Sequence, residues 1–256
     1  MSFRFASLGS GSRGNALLLE TANVRILIDC GFPAREIEKR LAGLAVDPQT
    51  LSGIFVTHEH GDHVRGVGAL ARRYKLPVWM TDGTYRAARY GDLPVLNRID
   101  CHGGWLSLGD LELLPFPVPH DAREPCQFLF QAAGFRLGLL TDTGHITPHI
   151  QENLRACDSL ILEFNHDLEL LSNGPYPPSL QARVGGLHGH LSNHQASGLL
   201  KLVEESQLQY LLASHLSEKN NTPQKVRDSV SDEAPRLLDT LFFAEQDCHS
   251  RWFELS

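Results

Sequence analysis

Residues Thr57-His-Glu-His-Gly-Asp-His63 follow directly on the apolar run Leu51-Ser-Gly-Ile-Phe-Val56, and this junction constrains the chain more than any other stretch. The run reads as a buried strand, so a set of imidazoles and carboxylates leaves the end of a hydrophobic element together. In a helix, His58 and His60 would point to nearly opposite faces. A strand-end turn lets the side chains converge instead. A lone histidine there would read as a satisfied core or surface residue. Burying this many rings and carboxylates without a partner would cost several kcal/mol, and bound cations supply the partner. The turn therefore points to a metal site.

With 256 residues, 42% hydrophobic and 21% charged, the chain fits one large soluble domain or a tightly merged pair. We read residues 1–256 as a single domain. Its apolar stretches are too short to span a bilayer, and Met1-Ser-Phe-Arg-Phe-Ala6 enters strand-like sequence without a signal-peptide core, so the expected location is cytoplasmic. Cys30, Cys101, Cys126, Cys157 and Cys248 are scattered without a Cys-x-x-Cys spacing and read as reduced thiols. The net charge of −7 argues against broad non-specific nucleic-acid binding. Its distribution is uneven: residues 1–100 hold 13 Lys and Arg against 10 Asp and Glu, and residues 101–256 hold 10 against 20. Arg65, Arg72, Arg73, Lys75, Arg86 and Arg89 follow the histidine turn, as a solvated helix face or as a patch facing substrate.

Strand-like runs at Phe3–Leu8, Ala16–Thr21 and Val24–Asp29 come first. Helices are expected at Ala34–Leu44, Val64–Tyr74, Ile146–Ala156 and Asn193–Ser206, with another after the N-cap and first-turn pair Thr222-Pro223. Further strands are expected at Leu76–Met80, around Trp105–Leu114, at Phe128–Ala133, Phe135–Thr141, Ser159–Glu163 and Leu208–Ala213, and near Leu241–Glu245 and Arg251–Leu255. Asn165–Gly189, with Gly174-Pro-Tyr-Pro-Pro178, reads as an irregular surface excursion. Strands and helices mixed throughout, with no linker or repeat, indicate an α/β sandwich.

One cation takes three or four ligands, so the turn alone cannot complete two shells. His120, Asp142 and His215 each stand at the end of a strand-like run and are the natural further candidates, although a strand-terminal Asp is often only a turn former. The pattern His58-x-His60-x-Asp62-His63, His120, Asp142, His215 resembles the metallo-β-lactamase superfamily over nearly the whole chain. The resemblance implies a four-layer αβ/βα sandwich with metals at one edge. It assigns His58, His60 and His120 to a first metal and Asp62, His63 and His215 to a second, with Asp142 bridging. Asp29 would orient the turn by hydrogen bonds. Several antibiotic-hydrolysing members carry a Cys ligand where this chain has Asp142, as the superfamily's hydrolases of phosphodiesters and thioesters do, so the resemblance implies hydrolysis of another substrate.

Two divalent ions about 3.5–4 Å apart clamp attacking and leaving oxygens, and a bound water drops to a pKa of about 7. The implied chemistry is hydrolysis by metal-bound hydroxide, with Asp62 among the catalytic groups. His and Asp ligands suit zinc and tolerate manganese or iron. Gly9-Ser-Gly-Ser-Arg-Gly-Asn15 formally matches a dinucleotide-binding fingerprint, but a strand rather than a helix follows it, so it reads as a tight loop with Ser12 and Asn15 as possible substrate contacts.

Glu163-Phe-Asn-His-Asp167, Gly174-Pro-Tyr-Pro177, Gly189-His-Leu-Ser-Asn193 and His215-Leu-Ser-Glu-Lys-Asn-Asn221 together resemble the YycJ (WalJ/VicX) family. That resemblance implies DNA phosphodiester hydrolysis, 5′-to-3′ and exonucleolytic on duplex, linked to repair and repair partners. His190 and His166 could each give a proton to a leaving oxygen or grip a phosphate, and each could equally buttress a loop. Asn165, Asn193 and Asn220 are further candidates for phosphate contact, and His145 for indirect support of the metals. Two other readings remain open at this point: a thioester or lactone hydrolase of the same fold, and a non-catalytic metal-binding regulatory protein.

Overall fold

The computed structural model describes residues 3–203 and 208–256. The strands are β1 (Phe3–Gly9), β2 (Ala16–Glu20), β3 (Arg25–Ile28), β4 (Gly53–Phe55), β5 (Pro77–Thr81), β6 (Val95–Ile99), β7 (Leu106–Leu108), β8 (Leu111–Pro117), β9 (Cys126–Ala132), β10 (Phe135–Leu140), β11 (Ser159–Glu163), β12 (Tyr210–Ser214), β13 (Leu241–Phe243) and β14 (Phe253–Leu255). The helices are α1 (Ala34–Gly43), α2 (Gly61–Val64), α3 (Val67–Tyr74), α4 (Asp82–Ala87), α5 (Pro148–Leu154), α6 (Leu168–Asn173), α7 (Pro178–Val184), α8 (Asn193–Val203) and α9 (Pro223–Glu233). Hydrogen bonding sorts the strands into two seven-stranded sheets, β14-β1-β2-β3-β4-β5-β6 and β13-β12-β11-β10-β9-β8-β7. Two compact units are present: residues 1–117, 122–135 and 244–256, and residues 118–121 and 136–243.

In the first unit the β1-β2-β3 meander is antiparallel and β3 to β6 run parallel. Strand β2 and the short β4 are buried along their whole length, as strands covered on both faces must be. Helix α1 lays Ile37 and Leu41, one turn apart, into the core with Leu70 and Ala71 of α3. The opposite face of β4 meets β9, where the Phe55 and Phe128 rings lie edge to face at 6.0 Å.

In the second unit β10 to β13 are parallel, with Leu140 opposite Leu162 and Glu163 opposite Ser214. Thr147, Asp167 and Thr222 cap α5, α6 and α9 with side-chain oxygens, and a proline stands in the first turn of α5 and α9.

Three expectations change. The helix expected over Val64–Tyr74 is divided into α2 and α3, because the Gly66 N–H bonds Cys30 O while Asp62 O accepts from Asn15 N, so neighbouring segments take the backbone groups that would join the turns. The excursion at Asn165–Gly189 contains α6 and α7. Helix α4 and strand β6 fall where no element was expected. Residues 204–206 of the expected helix Asn193–Ser206 lie outside those described.

Candidate metal centre

Both strand systems end in polar residues at their carboxyl edges, where open α/β sheets place ligands. In the first unit, Ile28 of β3 pairs with Phe55 of β4, so Asp29 and the stretch Thr57–His63 leave the sheet side by side. Asp29 is buried and organises that stretch. Its Oδ1 accepts from Thr57 N at 2.8 Å, and its Oδ2 accepts from Thr57 Oγ1 at 2.8 Å and from His63 Nδ1 at 2.7 Å. Because the Thr57 hydroxyl donates to Asp29, it accepts from His58 Nδ1 at 2.9 Å. Both rings thereby turn Nε2 outward as the basic nitrogen. His60 stands edge-on to His58 at 4.7 Å, His63 lies 4.1 Å from His58, and Asp62 Oδ2 is 3.7 Å from His63 Nε2. His60 is the N-cap of α2, so Asp62 and His63 sit in a helical turn, whereas His58 and His60 precede it.

In the second unit Asp142, Glu163, His190 and His215 offer donor atoms within 4.8 Å of one another. Asp142 Oδ1 lies 3.4 Å from His215 Nδ1, 3.6 Å from His190 Nδ1 and 3.9 Å from His120 Nε2. Glu163, fully buried at the end of β11, binds two rings through one oxygen: Oε1 accepts from His190 Nδ1 and His215 Nδ1, each at 2.8 Å. Its Oε2 accepts from Leu191 N at 3.0 Å and Thr143 N at 3.3 Å. His120 Nδ1 donates to Gly189 O at 3.1 Å. The donor chemistry fits divalent cations, because His58, His63, His120 and His215 all have Nδ1 held by a protein acceptor, which makes Nε2 the basic nitrogen of each ring.

Asp29, Asp142 and His215 also share a left-handed backbone, with φ of 59°, 52° and 55°. Non-glycine residues held there mark functional strain more often than chance. Asn165 fixes one of them, its Nδ2 donating to His215 O at 3.1 Å.

Burial alone would raise the pKa of Glu163, but the charges and hydrogen bonds of His190 and His215 outweigh it and hold the carboxyl well below the usual range. Burial alone would lower the pKa of His190, yet the Glu163 charge and hydrogen bond, helped by Asp142, carry it above the ordinary histidine value. His166 goes the other way. Burial pushes it down, the Glu163 charge opposes and His190 adds to the fall, leaving it at about 4. It is 1% exposed, and neither ring nitrogen has a hydrogen-bond partner among the described residues.

Of the residues expected to touch substrate, Ser12 is exposed. Asn15, Asn165, Asn193 and Asn220 are buried; Asn193 makes a reciprocal pair with Asn221 at 2.9 and 2.8 Å, and Asn220 donates to Ser217 Oγ at 3.3 Å while its Oδ1 has no hydrogen-bond partner among the described residues. His145 bonds Leu187 O at 2.9 Å. Much of the basic stretch is internally engaged: Arg72 bonds Tyr90 O, Arg73 pairs with Glu38 and Arg86 with Asp82. Sequence reasoning did not single out Glu163 as a site residue. The available signal was a carboxylate closing a wholly buried strand between the strands that deliver Asp142 and His215.

A family model described as "Beta-lactamase superfamily domain" matches residues 24–215. The chain is similar to exodeoxyribonuclease YycJ of Bacillus anthracis, 35% identical over 90% of this chain and 89% of that protein. It is also similar to exodeoxyribonuclease WalJ of Streptococcus pneumoniae serotype 2, 32% identical over 86% and 83%. In fold it resembles the metallo-β-lactamase fold protein YhfI of Bacillus subtilis, with a TM-score of 0.76 at 15% identity over 99% of both chains. It likewise resembles human tRNase Z, short form, with a TM-score of 0.68 at 16% identity over 96% and 98%.

Proposed function

Because the chain belongs to the metallo-β-lactamase superfamily and has its fold of two mixed seven-stranded sheets flanked by helices, we propose that it is a two-cation phosphodiesterase acting on DNA as a 5′-to-3′ exonuclease of duplex, with a part in repair. It is a metal-dependent hydrolase. The observation that carries the DNA reading is the 35% identity, over 90% of the chain, to a relative named an exodeoxyribonuclease. His58, His60, Asp62, His63, His120, Asp142 and His215 would hold the cations, the set that the family pattern assigns. Zinc or manganese suits these donors, and iron is compatible.

When bound, such a pair of cations activates water near neutral pH and stabilises charge on the attacking and leaving oxygens. The protein's own share lies in the hydrogen bonds behind the ligands. Asp29 and Thr57 set the His58 and His63 rings, and Glu163 sets His215. Glu163 also keeps a proton on His190 Nδ1 and raises the pKa of the ring, which favours His190 as the donor of a proton to the leaving oxygen. His166, with a pKa of about 4, is neutral at pH 7 and is not equipped for that step.

Among the described residues no helix is long and apolar enough to cross a membrane, and the five cysteines are free, which suits a reducing compartment such as the cytoplasm. The test is a substrate panel with purified protein and manganese or zinc: 5′-phosphorylated duplex DNA, single-stranded DNA, RNA, a thioester and a lactone. Duplex DNA is degraded from the 5′ end, and His60→Ala abolishes the activity. Turnover of the thioester or lactone alone would overturn the nuclease reading, and RNA cleavage without DNA cleavage would move the substrate.

A further inference from the structure

Asn15 closes the Gly9–Gly14 loop, and its carboxamide is tied down at both ends. Oδ1 accepts from Gly11 N at 2.8 Å and Ser10 Oγ at 3.1 Å, which fixes Nδ2 as the opposite, donating end. Nδ2 donates to Gly11 O at 3.1 Å, and its second proton points at the histidine turn, 3.1 Å from His63 Nε2 and 3.3 Å from Asp62 Oδ2. The backbone holds the residue in place as well, with Asn15 N bonded to Asp62 O at 2.8 Å and Gly31 N bonded to Asn15 O at 2.9 Å. From outside, Gln246 anchors the loop through Arg13 N at 2.7 Å and Gly14 O at 2.9 Å.

The chemistry of His63 makes this arrangement consequential. Its Nδ1 donates to Asp29, so Nε2 is an sp² nitrogen with a single lone pair. An amide N–H and a cation cannot share that lone pair. Asp62 Oδ2 has more than one and is less constrained.

We propose that Asn15 tunes the second cation site, its side-chain N–H competing for the His63 Nε2 lone pair so that the second cation binds more weakly, and exchanges more readily, than it would without that N–H. The inference rests on the reading of Asp62 and His63 as second-cation ligands. A neutral hydrogen bond contributes on the order of 1 kcal/mol net, so the competition weakens the second site by about five- to tenfold.

The test is zinc titration of chelator-stripped protein, followed by calorimetry and by native mass spectrometry of the bound stoichiometry. Wild type takes up two ions in separated steps. In Asn15→Ala the second step tightens by about five- to tenfold and the first does not move. Asn15→Asp keeps the Oδ1 acceptor for Gly11 and Ser10, removes the N–H and adds negative charge, so its second step tightens further. Ser10→Ala loosens the loop but leaves the Asn15 N–H in place, and its second step stays where wild type has it. A second step that is unchanged or weaker in both Asn15 variants overturns the inference, as does a Ser10→Ala shift equal to that of Asn15→Ala. If wild type binds one ion only, the inference fails while the hydrolase reading stands; if it binds none, the proposed function itself fails.

Discussion

Replacing His166 with Phe should flatten the acid side of the stability profile. His166 is 1% exposed, its ring nitrogens have no hydrogen-bond partner among the described residues, and burial pushes its pKa from the ordinary 6.5 to about 4. The folded state thus binds the proton less well than the unfolded chain. Stability from this group is fully present above pH 6.5 and is lost as the pH falls toward 4. A shift of about 2.5 units at 1.36 kcal/mol each gives about 3 kcal/mol of difference between pH 7 and pH 4. Phe has no nitrogen to desolvate but is larger than His, so it carries a pH-independent packing cost of about 1–3 kcal/mol, and the pH dependence of the difference between the two proteins is the readout. Urea unfolding at half-unit steps from pH 4 to 7, with chelator present for both proteins, measures the effect. Titrating groups remote from His166 are common to both proteins and cancel in the difference, whereas Glu163 and His190, whose charges act on His166, contribute to it. Parallel profiles, or a gap that changes by less than about 1 kcal/mol between pH 7 and pH 4, would refute the reasoning by showing that His166 titrates like an exposed ring.

Glu163→Gln removes the charge that raises the His190 pKa and puts an amide where a carboxylate accepts from the Leu191 and Thr143 N–H groups. The alkaline limb of the pH–rate profile on duplex DNA moves to lower pH, and urea unfolding shows a loss of about 2–4 kcal/mol. Gly31→Ala would place a Cβ 1.6 Å from Asp62 O and 2.6 Å from Asn15 N, so it destabilises by about 3 kcal/mol or more and impairs zinc uptake. Gly61→Ala is the matched control in the same unfolding assay, since nothing lies within 4 Å of its Cβ and helix propensity favours the change.

The histidine turn was legible because two unlike signals meet there: an apolar run short enough to be a strand, then a density of imidazole and carboxylate that no ordinary loop carries. Strand-terminal His120, Asp142 and His215 could be picked out for the same reason. Glu163 could not. Inside Ser159-Leu-Ile-Leu-Glu163 it reads as the polar end of a buried strand, and its hold on His190 and His215 emerges only when β10, β11 and β12 lie in parallel register. Helices α6 and α7, six and seven residues long, are too short for a periodicity to stand out from the prolines around them. The boundary between α2 and α3 was hidden because distant backbone groups, at Asn15 and Cys30, determine it. The asparagines were legible as polar residues near the site, but whether each amide faces solvent or the protein depends on partners such as Asn221 and Ser217 that adjacency in sequence does not reveal.

The left-handed conformation at Asp29, Asp142 and His215 restricts which residues evolution or a library can try there. A β-branched residue is strained at such a φ before its chemistry is ever tested, whereas Asn, Asp, His and Gly enter readily. Randomising these three codons and selecting only for folded protein would return an alphabet poor in β-branched residues and enriched in Gly, Asn, Asp and His, so metal-binding types would be over-represented without any selection for metal. The backbone acts as a first sieve, so a chain that has drifted at Asp29 or at the candidate ligands Asp142 and His215 still favours residue types that restore the site.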